Sequence, residues 1–279
     1  MFQRTFTGLV GIPVILAAVW WGAPWLTLLV LVVAALGIRE IYRLLPPGIG
    51  PLPVVLGLLW VIALVLGAQA ASGLNNFLII SAGILAAGAF AGLLWLIAYY
   101  AGAHYLTGAV YLMGGPVYVG FLLAHSLALR DIGESSDLGR DWLLFTILVV
   151  MATDTGAYLT GRTLGKHAMA PSISPNKTWE GAAGGFLSAI VTAIALGLIF
   201  EAAGPLDLAL PRWQQIIIGA TVGVLAQWGD LFESKLKRIS NVKDTGSIIP
   251  GHGGVLDRLD SVVVCIPAVY YLLVTVFEP

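Results

Sequence analysis

Four carboxylates gather in the C-terminal third of the chain: Asp230 and Glu233 close one apolar run, and Asp257 and Asp260 open the last one. Beside them stand Lys235, Lys237, Arg238, Lys243 and Arg258. The stretch SKLKRISNVKDTGSIIPGHGGVLDRLDS, residues 234–261, holds eight charged residues, in a chain with only 14 basic and 15 acidic residues in all. A spacing of three would put Asp257 and Asp260 on one helical face. At a helix start such a pair can simply complement the dipole, worth about 0.3–1 kcal/mol per charge. With Asp230 arriving from the preceding run, the alternative is favoured: hard oxygen donors converging on a cation, since crowded carboxylates in an apolar setting repel unless neutralised. Oxygen ligands with open positions suit Mg2+ bridging to substrate phosphates. The basic residues suit phosphoryl chemistry, in which the protein positions phosphates and neutralises developing charge. The expectation is therefore a metal set of Asp230, Asp257 and Asp260, with room for a second cation, and phosphate contacts from Lys237, Arg238, Lys243 and Arg258. Lys235 reads equally as a lipid-headgroup anchor, whereas Arg258, between Asp257 and Leu259, is expected inside.

A second polar segment, ATDTGAYLTGRTLGKHAMAPSISPNKTWEG (residues 152–181), brings Asp154 at the end of another apolar run, together with Arg162 and Lys177. An aspartate is too short to reach far toward water, and at mid-bilayer it would cost about 2.5–3.5 kcal/mol, so such residues usually face a polar cavity. The roles of Asp154 and Glu233 stay open. GRTLGKH has three residues where a phosphate loop of the Walker type needs four between its glycines, so it is not one. PGHGGV, residues 250–255, places glycines before a helix, where free N–H groups can cradle an anion. His252 there is a ligand, a proton donor or a satisfied loop residue.

The elements that must position these groups are membrane helices. The chain of 279 residues is 58% hydrophobic and 10% charged, against about 25% charged in ordinary soluble domains. A span needs about 20 mostly apolar residues, and nine such runs occur, near 5–22, 25–45, 51–71, 77–100, 104–129, 142–164, 181–203, 214–238 and 260–278. The expected fold is an all-α, polytopic integral membrane helix bundle of about nine transmembrane helices. It forms a single membrane domain, 1–279, with spans 1–140 as a lipid-facing scaffold and 141–279 carrying the active site. Gly and Pro in LMGGPVYVG, residues 112–120, suggest a kinked or broken span. The basic start and apolar run at the N-terminus lack a small-residue cleavage site and read as a retained first helix.

Counting Lys and Arg in alternate loops puts eleven on one side, including both polar segments, against Arg130, Arg140 and Arg212 on the other. By the positive-inside rule the N-terminus and the active site are then cytoplasmic and the C-terminus is on the opposite side, in a multi-pass protein of the inner or plasma membrane. The formal net charge of −1 gives no pull toward nucleic acid. Cys265, the single cysteine, can form no internal disulfide and reads as a packing residue.

Residues 234–261 closely resemble the signature of the phosphatidate cytidylyltransferases, also called CDP-diacylglycerol synthases: S-x-x-K-R, then K-D, H-G-G and D-R-x-D. Here these are Ser234, Lys237 and Arg238; Lys243 and Asp244; His252, Gly253 and Gly254; Asp257, Arg258 and Asp260. DTGAYLTGRTLGK and SPNKTWEG, with Ser174, Asn176 and Lys177, are similar to that family's other polar segment. The resemblance implies that CTP and phosphatidic acid give CDP-diacylglycerol and pyrophosphate, with Mg2+ required. It also implies nucleotide or phosphate contacts from Ser174, Asn176, Lys177, Ser234, His252, Gly253 and Gly254, membrane lipids as surroundings, and room for a homodimer. An anionic lipid phosphate attacking the α-phosphorus needs no strong general base, which suits a site rich in metal ligands and cations. A cytidylyltransferase for an ether or isoprenoid lipid phosphate shares that chemistry. A transporter would instead place its acids near mid-bilayer with access from both faces, and the spacing D-G-x-x-A-R of the CDP-alcohol phosphotransferases is absent.

Overall fold

Away from water every backbone N–H and C=O must find a partner inside the segment, so long apolar runs become helices. The computed structural model describes residues 2–45, 51–99, 105–133, 136–203, 211–246, 248 and 253–277. Among them the helices are α1 (Phe2–Trp21), α2 (Trp25–Arg43), α3 (Pro51–Ala70), α4 (Gly73–Tyr99), α5 (Tyr105–Gly115), α6 (Leu122–Arg130), α7 (Ser136–Leu164), α8 (Trp179–Ala203), α9 (Arg212–Ile239) and α10 (Val262–Tyr271). Among the described residues seven helical stretches are long and apolar enough to cross a membrane. Two shorter apolar helices, Gly11–Trp21 and Val262–Val276, lie where the first and ninth runs were expected, so length and composition do not reach the count of nine spans. Between α5 and α6 the expected break is a π-helical turn, Pro116–Phe121. Pro116 has no N–H to donate, and the wider turn carries the chain past that gap.

The chain forms two compact units: residues 1–131 with 240–258, and residues 132–239 with 259–279. In the first, α3 lies at the centre, with Val61, Leu64 and Val65 fully buried. Gly120 of the π-turn sits directly against Leu64 and Val61, and Tyr42 of α2 donates from its hydroxyl to the Leu112 carbonyl at 3.1 Å. Ile79, Phe90 and Ile97 of α4 are exposed. Apolar surface of that kind is a liability against water and natural against hydrocarbon.

In the second unit α7 and α8 pack backbone to backbone. A Cβ at Gly181 would strike the Ala157 carbonyl, one at Gly185 the Thr153 carbonyl, and one at Gly156 the Ser188 side chain. Small residues at helix seams gain van der Waals contact by such close approach, which matters most where lipid removes the hydrophobic drive. Gly219 and Gly223 do the same for α9 against α8. The polar segment after α7, expected as loop, contains an antiparallel hairpin, β1 (Ala168–Ala170) with β2 (Ser174–Thr178), pairing Ala168 with Thr178 and Ala170 with Ser174.

The last span begins later than expected. Asp257 lies in a 3-10 turn, Leu256–Arg258, and Asp260 in the turn after it, so the two aspartates precede α10 rather than sharing its first face.

Candidate active site

In the second unit the decisive contact is made by a missing side chain. Gly229, near the end of α9, has the Asp260 carbonyl and the Ser261 Cα where a Cβ would stand. The turn before α10 can therefore lie flat on α9, which brings Asp260 beside Asp230, one residue further along the helix. Gln227 fixes α9 at this level by donating to the carbonyls of Ala182 (3.0 Å) and Gly223 (2.6 Å). From the hairpin, Lys177 on β2 reaches Asp230 Oδ2 at 2.6 Å. Ser234, one helical turn beyond Asp230, donates to its Oδ1 at 3.4 Å.

Around this pair the acids outnumber the cations. Asp260 Oδ1 accepts from the Ser261 N–H at 2.8 Å, and Glu233 stands close enough to act on the Asp260 carboxyl. Glu233 Oε2 also accepts from Lys237 Nζ at 3.1 Å. The Ser261 hydroxyl donates to Asp154 Oδ1 at 3.4 Å, and Asp154 stands near enough to Asp260 and Asp230 for their charges to interact. Burial first, and the Asp230 charge second, push the Asp260 carboxyl up from the usual carboxylate range to about 6, against the pull of the Ser261 N–H, Glu233 and Lys177. Four carboxylates thus share two lysines. Glu233 is 2% exposed and Asp230 38%, so Asp230 is where a ligand can arrive.

The donor set is all oxygen, which suits a hard divalent ion. Among the described residues no group of three or more His, Cys, Asp or Glu side chains could by itself hold a metal ion. Of the expected metal set, Asp230 and Asp260 stand together in the second unit, and Asp257 accepts hydrogen bonds within the first. A pair still fits Mg2+, which is commonly held by one or two carboxylates with substrate phosphates and water completing the shell.

In the first unit Asp257 closes a loop. Its Oδ2 accepts from the Gly254 N–H (2.8 Å), the Thr245 N–H (3.1 Å) and the Thr245 hydroxyl (3.1 Å). Glu40, fully buried on α2, was missed by sequence reasoning. Its Oε1 accepts from the Val255 N–H at 2.9 Å, and its Oε2 from the Leu256 N–H at 3.0 Å and the Thr245 hydroxyl at 3.2 Å. Of residues 250–255, whose N–H groups were expected to cradle phosphate, 250–252 lie outside the described residues, and the N–H groups of Gly254 and Val255 face carboxylates, as does that of Leu256 beyond them. Gly253 adopts φ +85°, a conformation that favours glycine. Tyr111 and Ser240 join hydroxyl to hydroxyl at 2.7 Å, holding the start of the same segment.

The remaining expected residues divide as follows. Lys177, Asp230, Ser234, Lys237 and Asp260 come together in the second unit. Arg238 turns aside, donating from Nε to the Ile173 carbonyl at 3.1 Å. Asn176 is exposed next to Lys177, and strand alternation points neighbours to opposite faces. Ser174 pairs with Ala170 in the hairpin. In the first unit Lys243 and Arg258 are exposed, Arg258 contrary to the expectation that it is internal. His252 lies outside the described residues. Besides Glu40, sequence reasoning missed Thr245, Ser261 and Glu180. Glu180 accepts from the Lys166 and His167 N–H groups at 3.1 and 3.2 Å and braces the hairpin.

The profile of the cytidylyltransferase family matches residues 2–276. Among curated proteins, the phosphatidate cytidylyltransferase of Bacillus subtilis is 41% identical over 157 residues, covering 56% of this chain and 55% of that one. That of Staphylococcus saprophyticus is 43% identical over 143 residues, 51% and 53% of the two chains. That of Staphylococcus haemolyticus is 40% identical over 166 residues, 60% and 59%. The chain thus spans somewhat over half the length of the curated relatives it matches.

Proposed function

The chain belongs to the cytidylyltransferase family, and we propose that it transfers the cytidylyl group of CTP to phosphatidic acid, giving CDP-diacylglycerol and pyrophosphate. A phosphatidate oxygen, already anionic, bonds to the α-phosphorus of CTP as the bond from that phosphorus to the β-phosphate bridging oxygen breaks, and pyrophosphate leaves with the electron pair. No proton need be removed from the nucleophile, so no general base is required. The observation that carries this reading is the Lys177–Asp230 pair, 2.6 Å apart beside Asp260, on a face short of positive charge. A divalent cation, taken to be Mg2+, would be held by Asp230 and Asp260, and when bound it neutralises triphosphate charge. Lys177, freed from Asp230, turns to an anionic phosphate oxygen, and Lys237 keeps Glu233 from adding a further uncompensated charge.

Lys243, Arg238 and Arg258 are proposed to attract anionic phosphate on the strength of their place in the sequence pattern, as are Ser174, Asn176, His252 and Gly253. Asp257 acts there through the loop it closes. The nucleotide arrives from the cytoplasm while acyl chains stay in the bilayer, so the polar face is proposed to be cytoplasmic. Cysteine introduced at exposed Lys235 is then labelled by impermeant reagent from that side only.

The test is purified full-length protein in mixed micelles with radiolabelled CTP, phosphatidic acid and Mg2+, and mass analysis of the lipid. Label in CDP-diacylglycerol with stoichiometric pyrophosphate is expected. Absence of product, or product only with an isoprenoid or ether lipid phosphate, overturns the substrate assignment.

A further inference from the structure

Glu40 lies in the last turn of α2, where the apolar run LVVAALGI ends, and it is fully buried. A charge in such a place is costly and signals function or a specific partner. Its partners are 205 to 216 residues away in sequence: the Thr245 hydroxyl and the N–H groups of Val255 and Leu256. The fit is shaped to the carboxylate. Gly246 and Gly254 both pack so close to Glu40 that a Cβ on either would collide with it. The Thr245 hydroxyl stands 3.2 Å from Glu40 Oε2 and 3.1 Å from Asp257 Oδ2, so its one proton is shared between the buried glutamate and the signature aspartate.

Resting on the cytidylyltransferase reading above, we propose that Glu40 is a positioning residue of the reaction, which sets the backbone at Thr245, Gly246 and Gly254–Asp257 and, through the Thr245 hydroxyl, the orientation of Asp257. A glutamate that only filled space would need neither the three donors nor the bridge. The two carboxylates divide the donors of one segment between them: Asp257 takes the N–H groups of Thr245 and Gly254, and Glu40 those of Val255 and Leu256. Neither end of the segment can shift without breaking charge-assisted bonds, which are the strong ones.

The test uses the full-length protein in detergent and four variants. Glu40→Gln keeps the shape but turns an NH2 group toward backbone donors. Thr245→Val keeps the shape and removes the bridging hydroxyl, Thr245→Ser restores it, and Lys235→Ala serves as the unaffected control. Loss of an outer-shell partner typically costs about 10- to 100-fold in activity, and that fall in kcat is expected for Glu40→Gln and Thr245→Val, with Thr245→Ser close to wild type. Hydrogen exchange at the Val255 and Leu256 amides should speed up in Glu40→Gln. Wild-type kcat in Thr245→Val, a Thr245→Ser variant as impaired as Thr245→Val, or unchanged exchange in Glu40→Gln would each overturn the proposal. Should Glu40→Gln fail to fold, the two Thr245 variants decide it. If the wild-type protein itself makes no CDP-lipid, the functional reading fails, and the exchange measurement still decides whether Glu40 anchors the segment.

Discussion

The two units each carry a cluster of acids, and the clusters are built in opposite ways. In the first unit Glu40 and Asp257 are well supplied with donors: each accepts two backbone N–H groups, and the two carboxylates share the Thr245 hydroxyl. In the second, Asp154, Asp230, Glu233 and Asp260 press on one another, with Lys177 and Lys237 as counter-charges. A carboxylate oxygen that already accepts several hydrogen bonds gains less from a new ligand than a poorly supplied one does. A crowded one gains from any cation that arrives. Identical side chains are thus supplied with backbone donors in one place and crowd one another in the other, and the number of donors around each oxygen separates the two settings better than residue type does.

Four experiments break or sharpen that contrast. The largest effect is expected for Asp230→Asn, which keeps shape and removes the charge shared by Lys177 and the proposed cation. The loss of turnover should be about 100- to 1000-fold, the scale of removing one preorganised electrostatic contact, with no change in chromatographic behaviour in detergent. Near-normal turnover would place Asp230 with the structural acids. Next is Gly229→Ala, whose methyl group would occupy the position of the Asp260 carbonyl. Overpacking of this kind costs about 1–3 kcal/mol. Thermal unfolding should report that loss, and a melting point equal to wild type would show that the turn does not lie against α9 as described.

A smaller effect is expected from pH. Asp260, pushed up to about 6, is ionised at pH 7 and takes a proton as pH falls through that value, and only the ionised form attracts a cation. Mg2+-dependent activity should thus decline as pH falls from 7 to 5, and more Mg2+ should move the midpoint lower, since the ion competes with the proton. A midpoint indifferent to Mg2+, or one retained in Asp260→Asn, would dissociate Asp260 from the cation. The smallest effect is that of Lys235→Ala, an exposed lysine on α9 among functional neighbours. Its activity should stay within about twofold, because isolated exposed charges contribute little. A large loss would extend the ligand-seeking cluster to the outer face of that helix.

Much of this was legible in the sequence for a physical reason. An apolar run of about 20 residues has one good solution in hydrocarbon, so the helices fell near their expected positions and the Pro116 break appeared as a π-turn. Asp230, Asp260 and Lys177 stood out because charge beside such runs is costly. The hairpin was not legible: SPNKT contains proline and asparagine, which are depleted in strands, and its pairing depends on Glu180 holding its base. Glu40 was hidden because an acid flanked by Arg39 and Arg43 reads as a helix-end surface charge, while its partners lie more than 200 residues downstream. The start of the last helix was misplaced because D-R-x-D fits a helical face and a 3-10 turn equally well.

The seam between α7 and α8 bears on how this protein can change over time. Lipid-facing positions such as Ile79 or Phe90 can exchange one oily residue for another at small cost. Gly156, Gly181 and Gly185 cannot accept even a methyl group without prising two backbones apart. Drift should therefore run freely over the outer surface and stall along this line, leaving a track of invariant small residues that marks the second unit in any descendant of the chain.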